Sequence, residues 1–389
     1  MNILFIAYSF NPCEGGVQRV TDILAKEFLR RGHQVSYLSG CCKYNNVSFE
    51  SSVPIFYMNE DLYSSFTKKS KLFYLSLLKD LKIDVIINQY PLLKKSDFFL
   101  KHTPSNILKL SFYHGSPIGS IKRREGECLA LHGLEKVLFK ISIIKQKYLL
   151  KKRFKQIVTL SDKLCFLSNS YKAHVIDLCK DIEVDKLYTI ANPNTFPTFQ
   201  PVFSQDKGNV ILFIGRISDP VKNIKDFIKA WEIISRKYPD WKALLVGDDS
   251  GCDDYKEYIK THNISNISFE GISKNISDYY KSAKIICVTS LHEGWPMVIV
   301  EAQQFGCVPI SYSTFNSVYD LIKHNYNGII CKPFDINDLV KNLDNLMANQ
   351  NEMVRLSGNA YKYIQQYDVH NICDIWELLF KSRNKSNIM

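Results

Sequence analysis

Two continuous apolar runs, at residues 2–8 and 209–215, each precede a loop and then an amphipathic stretch. In the stretches at 17–31 and 224–237, the apolar residues recur at helical spacing. A continuous apolar run is typical of a strand that is buried on both faces of a parallel sheet. The pattern therefore predicts a β-α opening in each half of the chain.

The second half continues as a regular alternation of short apolar runs and amphipathic stretches. Its further predicted strands lie at 241–247, 267–270, 284–289, 308–312 and 328–331. Its predicted helices lie at 254–260, 276–282, 296–305 and 317–324. The first half is less regular, with further predicted strands at 34–38, 54–57, 85–88, 108–113, 163–167 and 187–190. The proline-rich stretch 192–201 predicts a linker. We therefore predict an α/β protein with two parallel sheets, each covered by helices.

Composition agrees with two domains and adds a positive charge. Of the 389 residues, 46% are hydrophobic and 23% are charged, which is ordinary for a globular protein. The net charge of +11 favours an anionic partner, which could be a nucleotide, an anionic bilayer or a nucleic acid. Eleven cysteines without a CxxC pair favour a reduced, cytoplasmic protein. We expect neither export nor a membrane span, because no run reaches ~20 apolar residues and the first run is too short for a signal peptide.

The strongest chemical signal is the segment from Glu293 to Glu301, which follows the predicted strand 284–289. Pro296 is suited to the first turn of a helix, and Gly294 beside it leaves backbone N–H groups accessible to a phosphate. Glu301, about one turn into this helix, could accept hydrogen bonds from ribose hydroxyls. The alternative is an ordinary helix start with two surface acids.

A second signal is the loop from Gly215 to Asn223, which follows the second opening strand. Arg216 and Lys222 are six residues apart in this loop and could converge on a diphosphate. A cation at a helix N-terminus is unfavourable for the helix itself, which suggests that an anion binds there. The alternative is a solvated loop.

Two weaker signals lie in the first half. Gly15 and Gly16 follow the opening strand and allow a ligand to approach the backbone, although the G-x-G-x-x-G fingerprint is not met. His114 follows the predicted strand 108–113 and precedes a glycine. It could therefore bind a sugar hydroxyl or the charge of a transition state, and the alternative is a structural histidine.

In order and spacing, these four motifs resemble the retaining GT-B glycosyltransferases of glycosyltransferase family four. The resemblance covers nearly the whole chain and is strongest over 208–339. The segment from Glu293 to Glu301 looks like the E-x7-E motif of the family, and the run 306–310 followed by Asn327-Gly328 is a further match. The chain departs from the family pattern at 192–194 and 313–320, which leaves the donor sugar open.

The resemblance implies two Rossmann-like domains whose parallel sheets face each other across a cleft. These would be an acceptor-binding domain (1–195), a nucleotide-sugar-binding domain (196–365) and a C-terminal helix (366–389) that crosses back to the first domain. The catalytic residues it implies are His114, Arg216, Lys222 and Glu293. The donor-binding residues it implies are Gly15, Gly16, Gly294, Trp295, Pro296, Met297, Val298 and Glu301.

By the same resemblance, Arg216 and Lys222 would hold the donor diphosphate, while Glu293 and His114 would lie beside the hexose. The expected reaction is the retaining transfer of a hexose or N-acetylhexosamine from a nucleotide diphosphate sugar, with UDP favoured, to a lipid-linked or membrane-surface glycan. We expect no cofactor beyond this co-substrate. We also expect no metal, because the chain has no D-x-D motif, and we interpret the acidic residues at 248–254 as a solvated loop.

The positive charge is concentrated in one segment. From Lys122 to Lys155, eleven Lys or Arg stand against three Glu, a net charge of +8. Interleaved at close to helical spacing are Leu134, Leu138, Ile141, Ile144, Tyr148 and Leu149. A basic amphipathic helix over 122–156 could lie on an anionic membrane, at the cytoplasmic face. The alternative is a helix that packs its apolar stripe on the core. We expect no nucleic-acid partner, because no recognised module is visible.

Other functions remain open on the sequence alone. A GT-B fold could also serve a sugar phosphorylase or a nucleotide-sugar epimerase, and a non-catalytic scaffold for polysaccharide assembly is a further alternative. The pattern from Glu293 to Glu301 favours transfer. A nicotinamide dehydrogenase is the weakest alternative, because neither glycine loop fits the dinucleotide fingerprint.

Overall fold

A computed structural model describes residues 1–40, 51–58, 66–197 and 206–382 of the chain. Two units can be distinguished. The N-terminal unit consists of Met1–Pro193 together with Val369–Met389, and the C-terminal unit consists of Asn194–Asp368. Each unit is built around one parallel β-sheet, so the α/β prediction is confirmed.

The N-terminal sheet has seven strands. They are β1 (Asn2–Ala7), β2 (Gln34–Ser39), β3 (Ile55–Tyr57), β4 (Val85–Asn88), β5 (Leu108–Tyr113), β6 (Lys163–Phe166) and β7 (Leu187–Thr189). Their order in the sheet is β3-β2-β1-β4-β5-β6-β7, and every pair is parallel. The order reverses between β1 and β4, the position at which sheets of this type bind ligands.

The C-terminal sheet has six strands. They are β8 (Val210–Ile214), β9 (Lys242–Val246), β10 (Ile267–Gly271), β11 (Ile285–Val288), β12 (Val308–Tyr312) and β13 (Ile329–Cys331). Their order is β10-β9-β8-β11-β12-β13, again with every pair parallel. Here the order reverses between β8 and β11, so both units share one topology.

Helices connect the strands. Those of the N-terminal unit are α1 (Gly16–Arg30), α2 (Lys68–Asp80), α3 (Asp97–His102), α4 (Gly119–Leu129), α5 (Gly133–Leu160) and α6 (Asn169–Cys179). Those of the C-terminal unit are α7 (Ile224–Ile234), α8 (Asp253–Thr261), α9 (Ile276–Ser282), α10 (Met297–Gln304), α11 (Val318–Leu321), α12 (Ile336–Ala348) and α13 (Gln350–Ile364). A final helix, α14 (Val369–Lys381), returns to the N-terminal unit.

Three predicted helices are shorter in the structure. Helix α7 ends at Ile234 instead of 237. The other two are shorter for local reasons. Helix α11 ends at Leu321 instead of 324, because Ile322 is extended and the Asn327 side chain accepts a hydrogen bond from the Lys323 N–H at 2.6 Å. Helix α10 begins at Met297, and Pro296 is its N-cap residue instead of part of the first turn, because its ψ of 98° is extended.

The continuous apolar runs are buried, as predicted for strands covered on both faces. In β1 the side chains from Ile3 to Ala7 are at most 3% exposed. Helix α14 packs on α1, where Phe380 lies 5.6 Å from Phe28 between ring centroids. Arg31 ties the same two helices together through Asp374 at 2.6 Å.

Candidate functional site

Two loops of the C-terminal unit are joined at the carboxyl ends of its central strands. Strands β8 and β11 are neighbours, with Ile285 beside Ile211. Beyond their ends, the Leu291 N–H donates to the carbonyl of Val221 at 2.7 Å. The Thr289 hydroxyl lies 3.1 Å from the carbonyl of Lys222 and 2.9 Å from that of Asn223. The structure thus brings together the loop after β8 and the loop that carries Glu293.

The loop after β8 starts at a close approach of two glycines. A Cβ atom on Gly247 would lie 1.7 Å from the carbonyl oxygen of Gly215, so no larger residue fits there. Gly247 also has φ 139°, in a region that L side chains rarely adopt. Gly215 lies under the Lys222 side chain, whose Cε would be 3.3 Å from a Cβ on Gly215. The Lys222 side chain therefore lies over Gly215, the residue that directly follows β8.

Lys222 and Glu293 form an ion pair across the two loops. The Nζ of Lys222 donates to Oε1 of Glu293 at 2.7 Å, and the two side chains are 20% and 15% exposed. A pair with this much access to water is worth at most about 1 kcal/mol. Lys222 could therefore turn from Glu293 to an incoming anion at small cost.

Arg216 is on the same loop but faces solvent. Its guanidinium is 77% exposed and pairs with Asp219 at 3.1 Å, a residue that also accepts from the N–H of Val221 at 3.0 Å. The structure thus joins Lys222 to Glu293 directly, whereas the ion pair that Arg216 makes among the described residues is to Asp219 of its own loop. The convergence of Arg216 and Lys222 on one diphosphate stays a prediction.

Helix α10 starts beside Glu293. Its N-cap residue, Pro296, makes no side-chain capping bond, and no acidic residue lies in its first turn, at the helix end whose dipole attracts anions. Trp295 anchors the start of the helix by packing on Tyr367, with ring centroids 5.3 Å apart. The buried indole Nε1 of Trp295 has no hydrogen-bond partner among the described residues. Gly294, Met297 and Val298 are half-buried.

Glu301 is buried, at 4% exposure, so the surface-acid alternative is wrong for this residue. Its Oε1 accepts from the Thr195 hydroxyl at 3.0 Å, and its Oε2 accepts from the Tyr280 hydroxyl at 2.8 Å. Each carboxylate oxygen has two lone pairs, so further acceptance from a ribose is compatible with these bonds. Sequence reasoning missed Thr195 and Tyr280, since neither belongs to a motif.

In the N-terminal unit, Gly15 is the N-cap residue of α1 and Gly16 its first residue, and both are exposed. No side chain caps α1 either, within the described ranges. Gly15 has φ 171°, an extended conformation open to any residue, so its backbone does not require glycine. The role of these glycines in approaching a diphosphate stays a prediction.

His114 follows β5 and is held by Gln89, which follows β4. The Nε2 of His114 lies 2.5 Å from Oε1 of Gln89, and the His114 ring packs 4.2 Å from that of Phe112 between centroids. Burial lowers the pKa of His114 to about 3, so the imidazole is neutral near pH 7. Sequence reasoning missed Gln89; its one signal was its place directly after a central strand.

The acidic residues at 248–254 are engaged locally. Asp249 pairs with Lys256 at 2.7 Å, and Asp248 accepts from the N–H of Ser250 at 3.1 Å. In the part of the chain that the structure describes, no three His, Cys, Asp or Glu side chains are grouped to hold a metal ion.

The basic segment forms α4 and the long helix α5. The six apolar residues singled out above are each more than half exposed, so the alternative that they pack on the core is wrong. They are Leu134 (74%), Leu138 (58%), Ile141 (56%), Ile144 (66%), Tyr148 (65%) and Leu149 (53%). The core-facing side of α5 is instead formed by Ile143, Phe154, Ile157 and Val158. None of the helices in the described ranges has the length and apolar composition needed to cross a bilayer.

Comparison with known proteins shows that the chain is similar to sugar transferases. Residues 196–363 match the family model of glycosyl transferases group 1. A Campylobacter jejuni alpha-1,4-N-acetyl-D-galactosaminyltransferase, named for a diphospho-undecaprenol-linked glycan, is 26% identical over 388 residues, 97% of each chain. The Escherichia coli UDP-Gal:alpha-D-GlcNAc-diphosphoundecaprenol alpha-1,3-galactosyltransferase is 26% identical over 352 residues, 85% of this chain and 84% of that one. The solved structure of sucrose-phosphate synthase from Thermosynechococcus elongatus matches with a TM-score of 0.77 at 16% identity, over 99% of both chains. The expected GT-B fold is thereby confirmed.

Proposed function

We propose that this chain is a glycosyl transferase of group 1 that moves a hexose or N-acetylhexosamine from a UDP-sugar to a lipid-linked glycan with retention of configuration. The observation that carries the proposal is the Lys222–Glu293 pair, whose carboxylate lies in the loop before α10 at the reversal point of the C-terminal sheet. A cation, a carboxylate and helix N–H groups at one place suit a diphosphate that is bound to a sugar.

Two relatives support the choice of substrates. Their names specify diphospho-undecaprenol-linked acceptors, and one of them specifies UDP-galactose as the donor. Both align with more than four fifths of this chain. On this basis we assign the chain to the assembly of a cell-surface polysaccharide at the cytoplasmic face of a membrane.

In the proposed reaction, an acceptor hydroxyl attacks the anomeric carbon on the face from which the diphosphate leaves. The new C–O bond forms, the bond to the diphosphate breaks, and the acceptor proton passes to the departing phosphate oxygen. Lys222, with Arg216 if it turns inward, would stabilise the charge that develops on the diphosphate. Such preorganised donors are worth about 3–4 kcal/mol each in comparable sites. Glu293 would then be released to accept from sugar hydroxyls.

A thermal-shift screen tests donor recognition before any acceptor is known. The full chain would be mixed with UDP-galactose, UDP-N-acetylglucosamine, UDP-N-acetylgalactosamine, GDP-mannose and ADP-glucose. Saturation to a hundred times Kd stabilises the folded state by about 2.7 kcal/mol, which raises Tm by several degrees. We expect a shift with at least one UDP-sugar that survives EDTA. A shift that appears only with a divalent ion would overturn metal independence, and no shift with any of the five would overturn the donor assignment.

We further propose that α5 docks the N-terminal unit on an anionic membrane. The exposed apolar face from Leu134 to Leu149 extends over about 22 Å of helix. Exposed cations, Lys140 and Lys145 among them, lie along the same helix. A lipid-linked acceptor requires an enzyme that reaches the bilayer surface, and a helix with this composition can lie in that surface.

Vesicle sedimentation tests the docking helix. We expect the chain to sediment with phosphatidylglycerol vesicles, and the double substitution of Leu138→Ser with Ile141→Ser to weaken this at least about tenfold, since each buried side chain contributes about 1.5–3 kcal/mol. Leu72→Ser is the matched control, because Leu72 is 63% exposed on α2, outside the basic segment. Equal sedimentation with neutral phosphatidylcholine vesicles, or equal weakening by the control, would contradict the assignment.

A further inference from the structure

Three segments of the N-terminal unit are connected by one chain of hydrogen bonds. The Thr21 hydroxyl donates to the carbonyl of Val17 at 2.7 Å, in the first turns of α1. The Nε2 of Gln89 donates to the Thr21 hydroxyl at 2.6 Å, and Oε1 of Gln89 contacts Nε2 of His114 at 2.5 Å. Gln89 is 4% exposed and Thr21 is 1% exposed, so the bond between them is shielded from water, while His114 is half-buried.

The hydrogen bond from Thr21 to Val17 determines which atom is the donor in each of the other hydrogen bonds. A backbone carbonyl can only accept, so the single hydrogen of the Thr21 hydroxyl is committed to Val17. The bond from Gln89 to Thr21 therefore needs a donor, which makes the amide nitrogen of Gln89 face Thr21 and its oxygen face His114. That oxygen can only accept, so Nε2 of His114 must carry the proton.

The other ring nitrogen of His114 is thereby left with a lone pair. Nδ1 is buried and has no hydrogen-bond partner among the described residues. Because burial lowers the pKa of His114 to about 3, the ring stays neutral and Nδ1 stays an acceptor across the working pH range. An ionised phosphate oxygen has no proton to offer such a group, whereas a sugar hydroxyl has one.

We propose that Gln89 is a positioning residue, which, through Thr21, holds His114 as the Nε2–H tautomer and so dedicates Nδ1 to accepting a hydroxyl of the donor sugar. The hydroxyl assignment rests on the proposed function, whereas the tautomer assignment does not. These hydrogen bonds also connect the His114 ring to the start of α1, because the Thr21 hydroxyl donates to the turn that begins at Gly16. The orientation of the imidazole and the position of the glycine loop are thus coupled.

A purely structural glutamine would behave differently from a positioning one. Replacing a buried glutamine that makes two hydrogen bonds destabilises the fold in either case. Only the positioning role predicts that the proton on the His114 ring moves between nitrogens. The test must therefore measure which ring nitrogen of His114 carries the proton, by a method that depends neither on stability nor on turnover.

Nitrogen NMR of the full chain labelled with ¹⁵N-histidine provides that reading. The chain has nine histidines, and the signals missing from the His114→Gln variant identify His114. In the wild type we expect a protonated Nε2 and an unprotonated Nδ1. In Gln89→Leu, and in Thr21→Val as the second variant, we expect a mixture of tautomers or the Nδ1–H form.

Thr103→Val is the matched control. Like Thr21, Thr103 donates its hydroxyl proton to the carbonyl four residues earlier, at 2.7 Å, and contacts a second side chain, the hydroxyl of Tyr74, at 2.6 Å. It lies outside the His114 chain, so it should lose similar stability with no change in the tautomer. A wild-type His114 that carries its proton on Nδ1, or a tautomer unchanged in both Gln89→Leu and Thr21→Val, would overturn the proposal.

A pH profile extends the test to transfer. In Gln89→Glu a carboxylate would face Nε2–H and raise the pKa of His114, so that a protonated ring would donate at Nδ1. We expect kcat to fall by about 10²-fold and to acquire a pH inflection that Gln89→Leu lacks. If no nucleotide sugar is turned over, the proposed function fails while the NMR result stands. If transfer occurs and Gln89→Leu keeps the wild-type kcat, the positioning role fails alone.

Discussion

Replacing Lys222 by alanine should lower the rate of transfer much more than it lowers the stability of the fold. The expected contribution of this side chain to the transition state is larger than its contribution to folding. In the folded protein Lys222 pairs with Glu293 at 2.7 Å, with the two side chains 20% and 15% exposed. Loss of a pair with this much access to water costs about 1 kcal/mol, and the Glu293 carboxylate remains accessible to water. We therefore expect Tm to fall by only about 2–4 °C.

The catalytic contribution should be larger. If Lys222 stabilises the charge on the leaving diphosphate, its removal costs about 3–4 kcal/mol in the transition state. That corresponds to a loss of roughly 10²–10³-fold in kcat. The structure adds that the side chain is already directed over Gly215, so little reorganisation is needed when a donor binds.

The assay is release of UDP from the donor that the thermal-shift screen identifies, with a membrane extract as the source of acceptor. Lys225→Ala is the control, because Lys225 is exposed on α7 three residues further along. Lys222→Arg keeps the charge but not the compact ammonium, and should recover only part of the rate. Near-normal turnover in Lys222→Ala, with the fold intact, would refute the diphosphate assignment.

Three further predictions concern single groups. Gly247→Ala places a Cβ 1.7 Å from the carbonyl oxygen of Gly215 and should destabilise the C-terminal unit by more than about 3 kcal/mol in urea unfolding, whereas Gly251→Ala, with open space around its Cβ, should cost about 1 kcal/mol. Because burial lowers the pKa of His114, protonation of its ring favours the unfolded chain. As the pH drops below about 6.5, the pKa of His114 in the unfolded chain, the free energy of unfolding should decrease by up to ~1.4 kcal/mol per pH unit, and His114→Gln should remove that slope. Glu301→Gln loses an acceptor for Thr195 or Tyr280 and should weaken UDP binding in calorimetry more than it lowers kcat; unchanged UDP affinity would contradict the ribose assignment.

The strands were the most predictable part of the fold. The intervals 85–88, 108–113 and 308–312 coincide with β4, β5 and β12, because most residues of a strand buried on both faces are apolar. Strand β5 departs from this pattern at Lys109 and Ser111. Helix ends were less predictable. The end of α11 depends on a hydrogen bond that the Lys323 N–H donates to the Asn327 side chain, which no periodicity reveals.

Helix α5 shows a different limit. Its sequence has apolar residues on two faces, one represented by Ile143 and Phe154 and the other by Ile141 and Ile144. Hydrophobic periodicity identifies such faces but does not say which of them packs inward. That choice depends on the surface the sheet offers, and the structure shows that the stripe from Leu134 to Leu149 is the one left exposed.

Some residues of the candidate site could be predicted from the sequence and others could not. Lys222 and Glu293 could be predicted because each lies in a short motif directly after a strand, and parallel strands bring such loops to one edge. Gln89 could not, although it too follows a central strand, because a lone glutamine has no motif and its partners are 68 and 25 residues away. Its significance follows from the sheet order, which places β4 between β1 and β5 and so sets Gln89 between Thr21 and His114. Thr21 and Gln89 in the N-terminal unit, and Lys222 and Glu293 in the C-terminal unit, are hydrogen-bonded pairs that lie after the two strands at which the sheet order reverses.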